Sequence, residues 1–399
     1  MVDPFTPEFR LAAACCRFPQ DLAAREAVAA AVTQISSWQR FETLLERHRI
    51  NGLANIALLD QPAVPPEVRA RLARRTRECV AFDLVLAAET AALQQRFDEA
   101  GLPALFIKGA TVGILAYGAL GIKQSWDIDL LTSPECVEQA LEILEGQGYS
   151  LVHPASLHRM PLPRFVRFFH EALIRNARGV PVELHWRLSS KSRLLPGVNA
   201  RSAHQCVDLG GYQVKTLCDE LLVSYLIAHG QHHGWSRLKW LADLNALLSR
   251  RGVEEIERLW SKAQAFGLAD SASAALLLCG QLFGLQLPPD IAERQSRRRS
   301  VDRLVRVDLA CMAHARGGSD LSEVSPLRLA MLVSRIRSAN GWRDLADEFA
   351  AIWTQPEIRA QYSARLDFLY HVLRIPLFLG RVPLKLRRLW RMSRSDGTL

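Results

Sequence analysis

The sequence predicts an α+β chain in which a small mixed sheet lies between helical segments, and three observations predict it. Apolar residues recur at three- and four-residue steps over 22–58 and 68–100. Short strand-like runs crowd between 105 and 188, and helical spacing resumes at Leu217. The expected division is a helical N-terminal region at 1–100, a sheet-bearing core at 101–214, and a helical domain at 215–399 with a basic C-terminus.

The N-terminal helices rest on Phe41, Leu44 and Leu45, then Leu53, Ile56 and Leu58, and are interrupted by Pro62, Pro65 and Pro66. Val68 to Ala100 then carries a helical period that stops at Gly101. Leu105-Phe106-Ile107 reads as a strand ending in Lys108-Gly109, Thr111 to Tyr117 as a helix, and Trp126 to Thr132 as a second strand. Ser133-Pro134-Glu135 opens a helix that runs through Leu144 and is closed by Gly146 and Gly148. A hairpin follows, with Glu171 to Asn176 and Val180 to Leu188 joined by residues 177–179. Its second strand turns Val182, Leu184 and Trp186 to one face and Glu183 and His185 to the other.

Composition excludes several classes. The 399 residues are 49% hydrophobic and 23% charged, the balance of a folded globular protein rather than a disordered or fibrous one. The eight cysteines form no C-x-x-C pair and fall mostly in helix-like apolar stretches, so they read as small buried residues rather than a zinc or disulfide framework. The start, MVDPFTPEFR, lacks the basic and apolar blocks of a secretory leader. The most apolar late stretch, Leu366 to Leu379, contains His371, Arg374 and Pro376, so a spanning helix is not expected. A cytoplasmic protein is expected. Its net charge of +9 concentrates late, at Arg297 to Arg299 and at Arg381, Lys385, Arg387, Arg388, Arg391 and Arg394. Three readings of that tail stand: a solvated helix face, a peripheral contact with the inner face of an anionic membrane, or a nucleic-acid contact.

The chemistry concentrates in the middle of the chain. Asp127 and Asp129 are two apart on a predicted strand, so both carboxylates share a face and repel unless a cation lies between them. Magnesium takes such oxygen ligands and keeps other positions for water and phosphates, and manganese can replace it. Glu183, on the polar face of the hairpin, is the candidate third carboxylate of a two-ion site. Lys108-Gly109-Ala110 lies where a strand enters a helix, and unpaired N–H groups at a helix start suit a phosphate. Lys108 either adds its charge to that phosphate or is a solvated strand end. His185 shares the face of Glu183 and could orient a metal-bound water or the acceptor. Glycosyltransferases that use nucleotide sugars also carry D-x-D, but they place a longer nucleotide-binding βαβ region ahead of it, where this chain is mostly helical.

The stretch FIKGATVGILAYGALGIKQSWDIDLL resembles the signature of the bacterial family of uncharacterised nucleotidyltransferases, a branch of the superfamily that includes DNA polymerase beta and the aminoglycoside adenylyltransferases. Val182-Glu183-Leu184-His185-Trp186 is similar to the family's hairpin motif. His229, Trp235, Leu238, Trp240 and Asp243 resemble its helical motif, so the matching blocks span about residues 40 to 250. The resemblance implies a nucleotidyltransferase core whose metal ligands are Asp127 and Asp129, with Glu183 as the third carboxylate. It places Gly109 at the superfamily's glycine, Ala110 where serine is more usual, and Lys123 where relatives carry arginine. His229, Lys239 and Asp243 would reach the cleft from the helical domain; alternatively that segment packs through Tyr225, Leu238, Trp240 and Leu244. His229, His232 and His233 do not read as a metal set, because Gly230 and Gly234 interrupt them and no carboxylate follows at ligand spacing.

The activity implied is transfer of a nucleoside monophosphate from a nucleoside triphosphate, ATP among the candidates, to an unknown acceptor (peptide, protein, small molecule, sugar or nucleic acid). The alternative is a non-catalytic nucleotide-binding or membrane-peripheral partner protein with a residual site. Asp127→Ala and Asp129→Ala separate the two.

Overall fold

A computed structural model of the chain describes residues 5–154, 160–191, 194–313, 326–337 and 342–353, together with positions 359 and 370. The basic run at 381–394 and, apart from Tyr370, the apolar stretch at 366–379 lie outside the described residues.

Five helices lead in: α1 (Pro7–Cys15), α2 (Leu22–Val32), α3 (Trp38–His48), α4 (Asn51–Leu58) and the 34-residue α5 (Pro66–Glu99). The first three start on side-chain caps, where Thr6, Asp21 and Ser37 accept the N–H groups of Phe9, Ala24 and Arg40. Pro66 opens α5, where a missing N–H costs nothing. Helix α1 extends the helical lead-in beyond the segment read from periodicity. Its Thr6-Pro7 start was a legible cap, but the nine-residue helix is too short for a strong period.

The central sheet contains β1 (Leu105–Phe106), β2 (Ile128–Leu131), β3 (Tyr149–His153), β4 (Glu171–Asn176) and β5 (Pro181–His185), in the order β1-β2-β5-β4-β3. Strands β2 and β5 pair in parallel and the other neighbours are antiparallel, so the sheet is mixed. Between the strands lie α6 (Ala110–Tyr117), α7 (Val137–Gly146) and α8 (Leu162–Phe168). One sheet face carries Ile128, Leu130, Ile174, Val182 and Leu184 into a core with Leu86 and Phe97 of α5 and Leu144 of α7. The alternation then turns Asp129, Glu183 and His185 to the other face.

Several details differ from the sequence reading, among them strand β3, which the sequence did not mark. Strand β2 begins at Ile128, so Asp127 sits just ahead of it. Strand β5 ends at His185, because the Trp186 indole N–H turns to donate to the carbonyls of Val166 and Phe169, at 2.9 and 2.8 Å. Trp186 therefore packs with Phe165 and Phe169 in a satellite core instead of continuing the Val182–Leu184 face. Beyond the sheet, a second hairpin of β6 (His204–Leu209) and β7 (Tyr212–Leu217) turns at Gly210-Gly211 and packs Val207, Leu209 and Val214 onto the same core as β2 and β5.

From Asp219 onward the described elements are helices: α9 (Asp219–His232), α10 (Leu238–Leu248), α11 (Val253–Ala265), α12 (Ala269–Phe283), α13 (Pro289–Glu293), α14 (Arg299–Ala313), α15 (Pro326–Arg337) and α16 (Trp342–Trp353). One apolar core joins α1, α3 and α4 to α9, α10, α12 and α14, from Phe9 to Met312. Among the described residues no helix is long and apolar enough to cross a membrane. Cys15, Cys16, Cys136, Cys279 and Cys311 are buried, Cys79 and Cys218 are half-buried, and Cys206 is exposed on β6, where the hairpin leaves it outside any core.

Candidate active site

Sheet and helices enclose a cleft of about 420 Å³. Lys108, Gly109, Lys123, Asp127, Asp129, Glu183, His185, His229, Lys239 and Asp243 all line it, whereas Ala110 turns into the core behind β2.

The acidic wall follows from register. Asp129 of β2 pairs with Glu183 of β5, and Leu131 with His185, so two carboxylates and an imidazole project side by side. In the antiparallel pair, His185 faces Glu171 of β4. Asp129, Glu183 and His185 each offer a ligand atom within 4.8 Å of the others, while Asp127 lines the same cleft outside that set. Like charges this close need compensation, and two cations supply it. Lys108 Nζ lies 2.7 Å from Asp129 Oδ1. His185 Nε2 lies 3.3 Å from Asp129 Oδ1 and 3.5 Å from Glu183 Oε2, with its Nδ1 3.1 Å from Glu171 Oε2.

Protonation follows from these contacts. Burial disfavours charge on His185, but hydrogen bonds to Asp129 and Glu183 and the charge of Glu171 prevail and push it up to about 10. Burial likewise opposes ionisation of Asp129, yet Lys108 and His185 hold it well below the usual carboxylate range. Glu183 is raised, by burial first and by Asp129 and Asp127, against its bond to His185.

Gly109 forms the strand-to-helix corner. Its φ of 68° and ψ of −133° belong to a region closed to other residues, and they turn the chain into α6 at the lining of the cleft. Thr111 secures the corner by donating its hydroxyl to the carbonyls of Phe106 and Lys108, each at 3.0 Å.

A second, basic set of lining residues comes from separate segments. Lys123, in the loop before β2, lies 3.7 Å from Asp243 Oδ2 of α10, and the Tyr117 hydroxyl donates to the other oxygen of Asp243 at 2.9 Å. Burial raises Asp243, against Lys123 and Lys239. Lys239 Nζ donates to the Gln124 carbonyl at 3.3 Å and is lowered to about 7 by burial, then by Lys123 and Arg49. Between the walls the rings of Tyr225, His229, His233 and Trp240 form a run, with His229 to His233 at 4.7 Å and His233 to Trp240 at 4.9 Å. Burial, then Lys108 and His233, keep His229 well below the usual histidine range, so it is neutral.

The sequence reading leaves out several lining residues. Glu171 and His170 come from the start of β4, and the hairpin register that sets Glu171 against His185 was the available signal. Tyr225 and Trp240 read equally well as packing residues. Arg237 lies within the helical motif, directly before Leu238, but is not among its named positions, and Arg49 closes a helix distant in sequence from the motifs.

The model of a family described as uncharacterised nucleotidyltransferases matches residues 35–284, more than half of the chain. No curated protein matches. Among solved structures, an antigenic nucleotidyltransferase-like protein from Paracoccidioides brasiliensis is similar at 14% identity, over 51% of this chain and 94% of that one, with a TM-score of 0.30. That likeness is too low to carry an argument. On the strength of the family match across motifs, sheet and α9–α12, the chain belongs to the family of uncharacterised nucleotidyltransferases.

Proposed function

We propose that the protein transfers a nucleoside monophosphate from a nucleoside triphosphate to an acceptor nucleophile. The acceptor oxygen attacks the α-phosphorus, the bond to the β-phosphate oxygen breaks, and pyrophosphate leaves. The observation that carries this reading is the side-by-side pairing of Asp129 with Glu183 on adjacent parallel strands, in a chain of nucleotidyltransferase family.

The donor set suits a hard divalent cation: two carboxylates with ligand atoms within 4.8 Å of one another and of His185, and Asp127 on the same cleft wall. Asp127, Asp129 and Glu183 would hold magnesium, or manganese in its place, with His185 adjacent. When bound, such an ion neutralises phosphate charge and favours departure of the leaving oxygen. The protein's own groups do the positioning. His185 fixes Asp129 and Glu183 through Nε2, Gly109 lets a phosphate approach the first N–H groups of α6, and Lys108, Lys123 and Lys239 supply positive charge. His229, neutral and beside Lys108, is a hydrogen-bonding group for substrate, and Asp243 holds Lys123 in place.

The experiment is incubation with magnesium and each triphosphate, labelled at the α- or the γ-phosphate, with peptide, sugar and small-molecule acceptors. The α-label should move to acceptor and the γ-label should leave as pyrophosphate, both lost in Asp127→Ala and Asp129→Ala. Unchanged transfer in those variants sinks the assignment. Glycosyl transfer from nucleotide sugars would replace it, and nucleotide binding without turnover would favour the non-catalytic partner.

A further inference from the structure

Arg49 ends α3 with φ 56° and ψ 48°, the left-handed conformation in which helices usually close on glycine or asparagine. A long side chain is strained there, and such strain persists where the side chain has a task. The Arg49 N–H closes the helix on the Glu46 carbonyl at 3.2 Å, and its guanidinium lies over the ring of Trp126, 4.8 Å from the centroid. Trp126 directly precedes Asp127, and Arg49 lines the cleft.

The next helix fixes this location. Gly52 of α4 abuts the loop before β2 so closely that a Cβ would meet the carbonyl oxygens of Gly121 and Ile122 at 2.6 Å. Two residues further along that loop is Lys123, and the Gln124 carbonyl that receives Lys239 follows it. Docking of α4 therefore brings Arg49 into the electrostatic neighbourhood of Lys123 and Lys239. Three basic side chains, Arg49, Lys123 and Lys239, line the cleft that also holds Asp129 and Glu183, and together they suit a ligand with several negative charges better than a single carboxylate.

We propose that Arg49, Lys123 and Lys239 form a subsite for the β- and γ-phosphates of the triphosphate, into which the left-handed backbone at Arg49 directs its guanidinium. The inference rests on the nucleotidyl-transfer reading for its ligand. The subsite holds the pyrophosphate half of the donor while the α-phosphate meets the acidic wall, and pyrophosphate is itself a ligand of it.

The test is calorimetric titration of the full chain with inorganic pyrophosphate, alongside thermal unfolding, for wild type and for Arg49→Gly, Arg49→Asn and Arg49→Lys. Glycine and asparagine both accept the left-handed conformation, so these two variants should unfold at or above the wild-type temperature. They should bind pyrophosphate roughly ten- to a hundredfold more weakly, the effect of one charge-assisted contact, and lysine should restore part of the loss. Wild-type affinity in the glycine and asparagine variants, no pyrophosphate binding by wild type, or a lowered unfolding temperature in both variants would overturn the subsite. Transfer activity separates this outcome from the broader reading. Pyrophosphate binding that depends on Arg49 in a protein that transfers no nucleotide keeps the subsite and sinks the reaction; transfer with wild-type pyrophosphate affinity in Arg49→Gly sinks the subsite alone.

Discussion

The two walls of the cleft handle buried charge in opposite ways. On the sheet side, Asp129 has Lys108 at 2.7 Å, and His185 lies between Asp129, Glu183 and Glu171. On the helix side, Lys123 has Asp243 at 3.7 Å, but Lys239 meets a carbonyl, and burial with Lys123 and Arg49 outweighs Asp127 and Asp243 around it. The first wall is compensated from within, and any metal must compete with Lys108. The second carries repulsion that an anion relieves. Stability and function should therefore separate on the basic wall and move together where a charge is the sole counterion of a buried partner.

The sharpest break is Asp243→Ala. It removes the carboxylate in contact with buried Lys123, leaving Asp83 as its remaining acidic neighbour, takes the acceptor from Tyr117, and should cost about 3 kcal/mol of stability, measured by denaturant unfolding. Loss of less than about 1 kcal/mol would mean that the Lys123–Asp243 contact is solvent-screened.

Lys239→Met should act the other way. The folded-state pKa of Lys239, about 7, lies below the ordinary 10.5, so the unfolded chain binds the proton more tightly. The group's contribution is fully present above about pH 10 and is lost as pH falls through 7. Relative to wild type, the methionine variant should be stabilised at pH 7, on the order of a few kcal/mol, with the gain shrinking toward pH 10. A difference independent of pH would contradict the repulsion.

Lys108→Met tests the compensated wall without an activity readout. With Nζ gone from Asp129, the affinity for manganese, followed by electron paramagnetic resonance, should rise about tenfold, ~1.4 kcal/mol. Unchanged affinity would show that Lys108 does not compete for the carboxylate. The smallest effect on stability is at Arg49→Gly, where relief of the left-handed backbone should add about 1 kcal/mol.

The acidic wall was legible in the sequence because strands have a short, rigid period. Once Ile128-Asp129-Leu130 and Val182-Glu183-Leu184 are read as strands, alternation fixes which side chains share a face, whereas Asp127, read into the same strand, sits ahead of it. The basic wall was legible only in part. Lys123, Lys239 and Asp243 could be named through the family motifs, whereas Arg49 closes a helix where glycine would have been the signal and so leaves no local mark. Strand β3 was hidden because it is a largely exposed edge strand with little apolar alternation. The β6–β7 hairpin did carry a signal, Gly210-Gly211 between Val207-Asp208-Leu209 and Tyr212-Gln213-Val214, and that pattern should be read as a hairpin wherever it recurs.

The most direct measurement of the central claim is pyrophosphate release with magnesium and the preferred triphosphate, comparing wild type with Asp129→Asn, which keeps the shape of the side chain and removes its charge. Release should fall at least about a hundredfold in a variant that retains its unfolding transition. Release at the wild-type rate from Asp129→Asn would contradict it.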